Sequence, residues 1–364
     1  MPVRKRYALV IAVMLATSFG CGDSGTERPA RITADGSGFT TVRRVDGKES
    51  VVRDGSRASG EYDRIGGTLV TSDGDLVFTA KSGDSWSVTR GKKQIGRQYD
   101  YVAGLTTGST GSVAYVAKVG GKWAVMRDGA AVGDGYEHVN GPVYSPDGKT
   151  LVFTAIENGK AFLVRDGVRQ PGEYEWADKP AFAPDGESVV FVAKVAAGLV
   201  LIKDGKPVTG AYEQIESWAV SADGRSVALV VQSNMEYFVV KDGEVVSKRY
   251  PRFEQVTKPV FGPDGRTVAV AVALTGRSWI IFRDGVPDGD EIKAEMLTTL
   301  VFSPDGRSIA CVAKQGGQWY VLKGGQAVSE GFKMISGLRT DADRNVLLFS
   351  ALRGGKVRQV EIPW

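Results

Sequence analysis

An all-β fold made from one four-stranded unit, repeated along the chain, is what this sequence predicts. Three observations carry it. Asp-Gly turns recur in two interleaved series along most of the 364 residues. The segments between them are short runs of β-branched, aromatic and aliphatic residues, which suit a pleated, half-buried surface. Beyond the N-terminal segment no stretch carries a helical period of useful length.

The N-terminus is read first, because it sets the compartment. Arg4, Lys5 and Arg6 precede an apolar run, YALVIAVMLATSF, at 7–19, and Gly20-Cys21 follows at once. A bilayer span needs about 20 apolar residues, so this run fits a secretory signal peptide better. A Cys after a small residue at the end of such a run resembles the lipobox of bacterial lipoproteins. That resemblance implies that residues 1–20 are a lipoprotein-type signal and that Cys21 is lipidated. Ser18 stands where lipoboxes carry an aliphatic residue, and an ordinary signal cleaved near Gly20 or Gly22 stays open. Residues 21–38, rich in Gly, Ser, Asp and Thr, read as a flexible tether. Residues 39–364 are the repeat domain.

Composition excludes several classes. The chain has 46 basic and 42 acidic residues, a net +4. Arg4, Lys5 and Arg6 account for three of the excess, so the cleaved chain is nearly neutral and gives no reason to expect nucleic acid. Two cysteines build no disulfide framework. Cys311, inside SIACVAK, reads as a buried free thiol.

Within the repeats the first turn recurs at Asp73-Gly74, Asp147-Gly148, Asp185-Gly186, Asp223-Gly224, Asp264-Gly265 and Asp305-Gly306. Ser109-Thr110-Gly111 and Asp343-Arg344 fill the remaining slots. Gly accepts positive φ and Asp bonds its own backbone, so Asp-Gly between apolar runs signals a hairpin. A second series runs Asp54-Gly55, Asp128-Gly129, Asp166-Gly167, Asp204-Gly205, Asp242-Gly243 and Asp284-Gly285. Each repeat thus holds four antiparallel strands, A to D, with the first turn between A and B and the second between C and D. Four strands per roughly forty residues is the blade of a β-propeller, whereas solenoid rungs are shorter. Residues 40–65 supply B, C and D, and 337–364 supply A, B and C. One composite blade from both ends is therefore expected to close the ring and cover its free edges. That gives eight blades, with seven or nine as the alternatives.

SPDGKTLVF (145–153), APDGESVVF (183–191), GPDGRTVAV (262–270) and SPDGRSIAC (303–311) resemble the WD40-like PD40 repeats of TolB-type propellers. The resemblance covers nearly all of 40–364. It implies a propeller of the bacterial envelope, periplasmic or at the cell surface, that acts as a scaffold. Related propellers also serve as accessory domains of serine peptidases, but this chain carries no peptidase domain.

No catalytic, cofactor or metal set emerges. His138 is the one histidine, and a metal needs several ligands. It occupies a repeat slot held elsewhere by Arg64, Tyr101, Trp176, Gln214 and Gln255, which marks a rim position. Repeated aromatic-acid steps such as Tyr62-Asp63, Tyr136-Glu137 and Tyr174-Glu175 are expected to pack an aromatic and point the acid to solvent. Arg53, Arg127, Arg165, Lys203, Lys241, Arg283 and Lys323 precede the second turns and are expected to cap turns and pair with nearby Asp. Trp86, Trp123 and Trp319 follow the B–C turns. With His138 they form either an interaction rim or a cover over strand packing. The expected function is a lipid-anchored, non-catalytic scaffold for an envelope protein or cell-wall ligand, with no cofactor and membrane contact through the lipid only. An enzyme or carbohydrate-binding propeller with a central-channel site is the alternative. Irregular segments at Gly108–Gly111, Arg90–Lys93 and Val286–Glu295 are where such a site would sit. Replacing Cys21 by Ser is expected to release the protein from membranes, and unchanged fractionation would refute the lipobox reading.

Overall fold

The structure, a computed structural model, describes residues 31–32, 39–178, 180–250, 254–275 and 277–364. The signal segment, Cys21 and most of the tether lie outside these residues. Among the described residues there are strands, turns and bends but no α-helix. The strands form nine antiparallel sheets in chain order. The third is representative: Tyr101–Thr107, Val113–Val119, Lys122–Arg127 and Ala130–Tyr136 pair as A-B-C-D neighbours.

Strand B is the buried centre of each sheet. Val113–Ala117, Leu151–Ala155, Val189–Ala193 and Val227–Val231 are buried at every position. A strand buried on one face would alternate, so the unbroken burial means a neighbouring sheet on each side. This is the physical origin of the apolar runs LVFTA and VVFVA. Strand A, by contrast, is interrupted. In the fourth and fifth sheets Pro142 and Pro180 separate its two short pieces. Proline cannot donate to the ladder. Elsewhere a register slip lies in the same place, as between Ile65 and Thr68 and between Ile215 and Ser217.

The composite blade expected from the ends is not present among the described residues. Arg31–Ile32 pairs with Phe39–Thr40 and occupies the A position of the first sheet. These two residues fall within the segment expected to be tether. Met334–Asp341, Val346–Arg353 and Lys356–Pro363 form a three-stranded ninth sheet of their own. Each end therefore builds its own sheet, and the B and C strands present at both ends need no sharing.

The two turn series have different chemistry. At 145–148 the Gly148 amide donates to the Ser145 carbonyl at 2.8 Å. The Asp147 carboxylate accepts from the Ser145 hydroxyl at 2.6 Å and the Lys149 amide at 3.1 Å. Asp185 accepts from the Glu187 and Ser188 amides, Asp264 from the Arg266 and Thr267 amides, and Asp305 from the Ser303 hydroxyl and the Arg307 amide. Gly186, Gly265 and Gly306 each follow at positive φ. In the second series the Asp itself is left-handed. Asp166 and Gly167 have φ of 47° and 85°, the pattern of a type I′ hairpin. Asp166 also accepts the amide of Leu151, the first residue of strand B, at 3.0 Å. Asp128, Asp204, Asp242 and Asp284 do the same for Val113, Val189, Val227 and Val268.

Neighbouring sheets are joined by three recurring contacts. The first is aromatic. The ring ending strand D meets the ring in strand B of the next sheet edge to face, as in Tyr99–Tyr115 at 5.7 Å, Tyr136–Phe153 at 5.9 Å and Tyr174–Phe191 at 5.5 Å. Cys311 occupies that B-strand slot in the eighth sheet. It is buried and free, and burial pushes its thiol up to about 12. The second contact uses the cation before the second turn. Arg53 donates to the Gly74 carbonyl at 2.8 Å, Arg90 to Gly111 at 3.1 Å, and Arg283 to Gly306 at 2.8 Å. Lys203 donates to the Gly224 carbonyl. Each acceptor is a first-turn glycine of the following sheet, so these side chains bridge sheets rather than only pairing with local Asp. Arg127 instead meets Asp166 of the next sheet at 2.5 Å.

The third contact is backbone on backbone at the second turn. A Cβ on Gly285 would lie 2.0 Å from the Val246 carbonyl oxygen of the preceding sheet. Gly243, at a similar φ of +88°, faces open space. Replacing Gly243 by Ala is expected to cost about 1–2 kcal/mol, the ordinary left-handed penalty. Gly285→Ala should cost clearly more, since two sheets must separate. Urea denaturation of both variants checks this, and equal losses would contradict the close approach.

The first-turn carboxylates make folding pH-dependent. Ser hydroxyls hold Asp147, Asp223 and Asp305 below the ordinary 3.8, and the Arg266 and Thr267 amides do the same for Asp264. A depressed pKa contributes stability above the unfolded value, and that contribution is lost as pH falls through the folded value. Melting temperature should be level from neutral pH to about 5 and fall below about pH 4. The Asp147→Asn, Asp305→Asn double variant should show a shallower fall.

Candidate binding surface

Strand direction alternates, so the two Asp-Gly turns of each sheet share one end and the B–C turn shares the other with the D-to-A crossing. The aromatic-acid step lies at this second end. Its acids do not simply face solvent. Asp63 accepts the Gly83 amide at 2.7 Å, Asp100 that of Gly120 at 3.1 Å, and Glu295 that of Gly317 at 3.0 Å. Glu137 accepts from Asn158 at 3.2 Å, and Glu175 pairs with Lys194 at 3.5 Å. Asp63, Asp100, Glu137 and Glu295 thus order the B–C turn of the sheet they enter, while Glu175 pairs with a side chain of strand B. The Lys48 ammonium, then the Gly83 amide, hold the Asp63 carboxyl below its ordinary range.

Directly inside this end lies a row of side chains in register. In the third sheet Tyr101 stands opposite Lys118, and Lys118 opposite Trp123. Opposed residues of antiparallel strands share a face, and Lys118 Nζ lies 5.6 Å from the Trp123 ring centroid. In the second sheet Trp86 holds the same slot as Trp123, opposite Lys81. In the fourth, His138 holds the slot of Tyr101, opposite Ile156.

Each tryptophan leans over the first strand of the next sheet, so the rings connect. Trp86 meets Tyr101 at 5.5 Å, Tyr101 meets Trp123 at 5.9 Å, and Trp123 meets His138 at 6.3 Å. The rings are steeply inclined to one another, at 66°, 82° and 72°. An aromatic track therefore crosses three successive sheets. Trp86 is 7% exposed and Tyr101 42%. Beside Tyr101 and Trp123 lies an open pocket of about 530 Å³, lined by Asp100, Tyr101, Lys118, Gly121 and Trp123.

Of the four rim residues expected from sequence, the structure brings Trp86, Trp123 and His138 into one track. It leaves Trp319 apart. Trp319 occupies the equivalent slot of the eighth sheet and packs, as Ile335 does, against the cluster around Phe349. The neighbouring sheet opens with Met334, so no ring continues the line there. Tyr101 and Lys118 were not singled out as rim residues by the sequence. The available signal was that Tyr101 shares His138's repeat slot.

Elsewhere, Glu216 sits on strand A of the sixth sheet at its register slip, and burial raises its carboxyl. Among the described residues no group of three or more His, Cys, Asp or Glu side chains gathers as a metal site would require.

No protein-family model matches the chain, so the resemblance to PD40 repeats rests on the turn motifs themselves. No curated protein matches its sequence. Among solved structures, the crystal structure of the eukaryotic initiation factor is similar at a TM-score of 0.53 and 14% identity, over 86% of this chain and 89% of that one. The Dos1 propeller gives 0.49 and 13%, over 85% and 94%. A putative TolB from Agrobacterium tumefaciens gives 0.32 and 14%, over 55% and 83%. At such identities the likeness concerns the fold alone, and the repeated four-stranded antiparallel sheets are themselves what supports a β-propeller fold.

Proposed function

We propose that this chain is a lipid-anchored, non-catalytic β-propeller of the bacterial envelope that binds a protein or cell-wall partner on its B–C-turn end. The observation that carries the reading is the aromatic track from Trp86 to His138. The repeated Asp, Gly, Arg and Lys residues are occupied in turns and between sheets. The track is where the repeats differ from one another and leave Tyr101 and His138 exposed. Its residues sit on paired strands, which hold them more firmly than loops would. The anchor comes from the Cys21 motif.

Ring closure belongs to the same proposal, with nine blades. On the first sheet, Val42 and Val51 pack toward the second, yet Val52 and Thr41 on the opposite face are only 1% and 5% exposed. On the ninth, Phe349 and Ala351 pack toward the eighth, and Leu352 on the other face is 2% exposed. Two outward faces this well covered fit face-to-face packing of the first sheet on the ninth.

A photo-crosslinking residue placed at position 101 in cells should give a discrete adduct identified by mass spectrometry. The same residue at Val168, exposed at the opposite end, should give none. Adducts from 168 alone would place the partner on the wrong face. Hydrolase activity lost in His138→Ala would replace the scaffold with the channel-enzyme reading.

A further inference from the structure

We infer that the pocket on the aromatic track takes a neutral saccharide chain, stacked on Tyr101, walled by Trp123 and hydrogen-bonded by Asp100 and Lys118. This rests on the binding reading above and names its ligand class.

Ring spacing sets the shape of what fits. Neighbouring centroids lie 5.5–6.3 Å apart, so the rings touch. Proline-rich peptides in the left-handed extended helix dock between aromatic walls. Rings in edge-to-face contact, inclined at 66–82°, leave no parallel-walled slot for a proline, and the exposed ring of Tyr101 offers a single face on which a flat apolar face can lie. The C–H face of a pyranose is such a face.

Charge narrows the choice further. The Trp123 ring already has the Lys118 ammonium beside it, which disfavours a cationic ligand seeking the same ring. Asp100 lines the pocket and Glu137 lies next to His138, and both disfavour a phosphodiester backbone. One carboxylate and one ammonium at the edge of an aromatic floor offer an acceptor and a donor with no net charge. Hydroxyl groups both donate and accept, and a neutral polyol satisfies the pair. The Gly120 amide fixes the Asp100 carboxylate, and the β-ladder fixes Lys118 between Tyr101 and Trp123, so the polar groups are held before a ligand arrives.

The test is titration of the purified full-length protein with chitotetraose, cellotetraose and a decaproline peptide, followed by tryptophan fluorescence and calorimetry. At least one tetrasaccharide should bind saturably. Tyr101→Ala should weaken that binding about tenfold or more, and Lys118→Met several-fold, as loss of one buried contact implies. Tyr101 is substantially exposed, so Tyr101→Ala should fold, and Tyr101→Phe should retain stacking. Trp319→Phe should leave binding unchanged. Binding of neither sugar, sugar binding undiminished in Tyr101→Ala, or binding of decaproline alone overturns the inference. If sugars fail while position 101 still crosslinks to a protein in cells, the saccharide assignment falls and the scaffold stands. If sugars bind but no protein adduct forms, the saccharide assignment stands and a protein partner at this face does not.

Discussion

The hydrogen bond from a cation before one sheet's second turn to a first-turn carbonyl of the next sheet is the constraint on which the arrangement depends. Burial supplies most of the stability. Each apolar side chain of strand B taken out of water contributes about 1.5–3 kcal/mol, and several are buried in every sheet. Burial is non-directional, however, and would tolerate a sliding of one sheet over the next. A charged donor on a backbone carbonyl contributes only about 1.5–3 kcal/mol, and less where partly solvated, but it has a fixed geometry. The bonds of Arg53, Arg90, Lys203 and Arg283 therefore set the stagger between sheets that their cores then fill. The proline of the first turn works to the same end. A Cβ on Gly306 would lie 3.4 Å from the Pro263 ring of the preceding sheet.

Much of the fold was legible because its signals are local. Asp-Gly pairs and five-residue apolar runs specify hairpins and central strands without reference to anything distant. What could not be read is how one repeat uses the next. The basic residues are visible as a series, but their acceptors are glycine carbonyls some twenty residues on, and a carbonyl has no side-chain signature. The same holds for Asp63, Asp100, Glu137 and Glu295 of the aromatic-acid step, whose partners are amides of a B–C turn. The ends misled for a related reason. Arg31–Ile32 makes a strand of two residues inside a polar stretch, too short for any pattern to reveal.

The candidate site was half legible. Trp86, Trp123 and His138 stand out as departures from regular repeats. Their assembly into one track depends on each tryptophan reaching over the following sheet, and on Tyr101 filling the gap between them. Trp319 shows why composition alone is insufficient: it holds the same slot, but the next sheet opens with Met334, so no ring continues the line. Trp279 goes further: in the same slot of the seventh sheet, opposite Ala273, it is buried in the core shared with the eighth. The regular part of the repeat thus builds a frame, and the aromatic track arises from which side chains follow one another across neighbouring sheets.

The most direct test of the inter-sheet bond is hydrogen exchange on Arg283→Met, which keeps the packing stem and removes the donor to Gly306. Amides of the 303–308 turn, held by the Ser303–Ser308 and Gly306–Ser303 bonds, should lose protection. The corresponding 145–150 turn, far along the chain, should keep it. Unchanged exchange at 303–308, or an equal loss at both turns, would contradict the account.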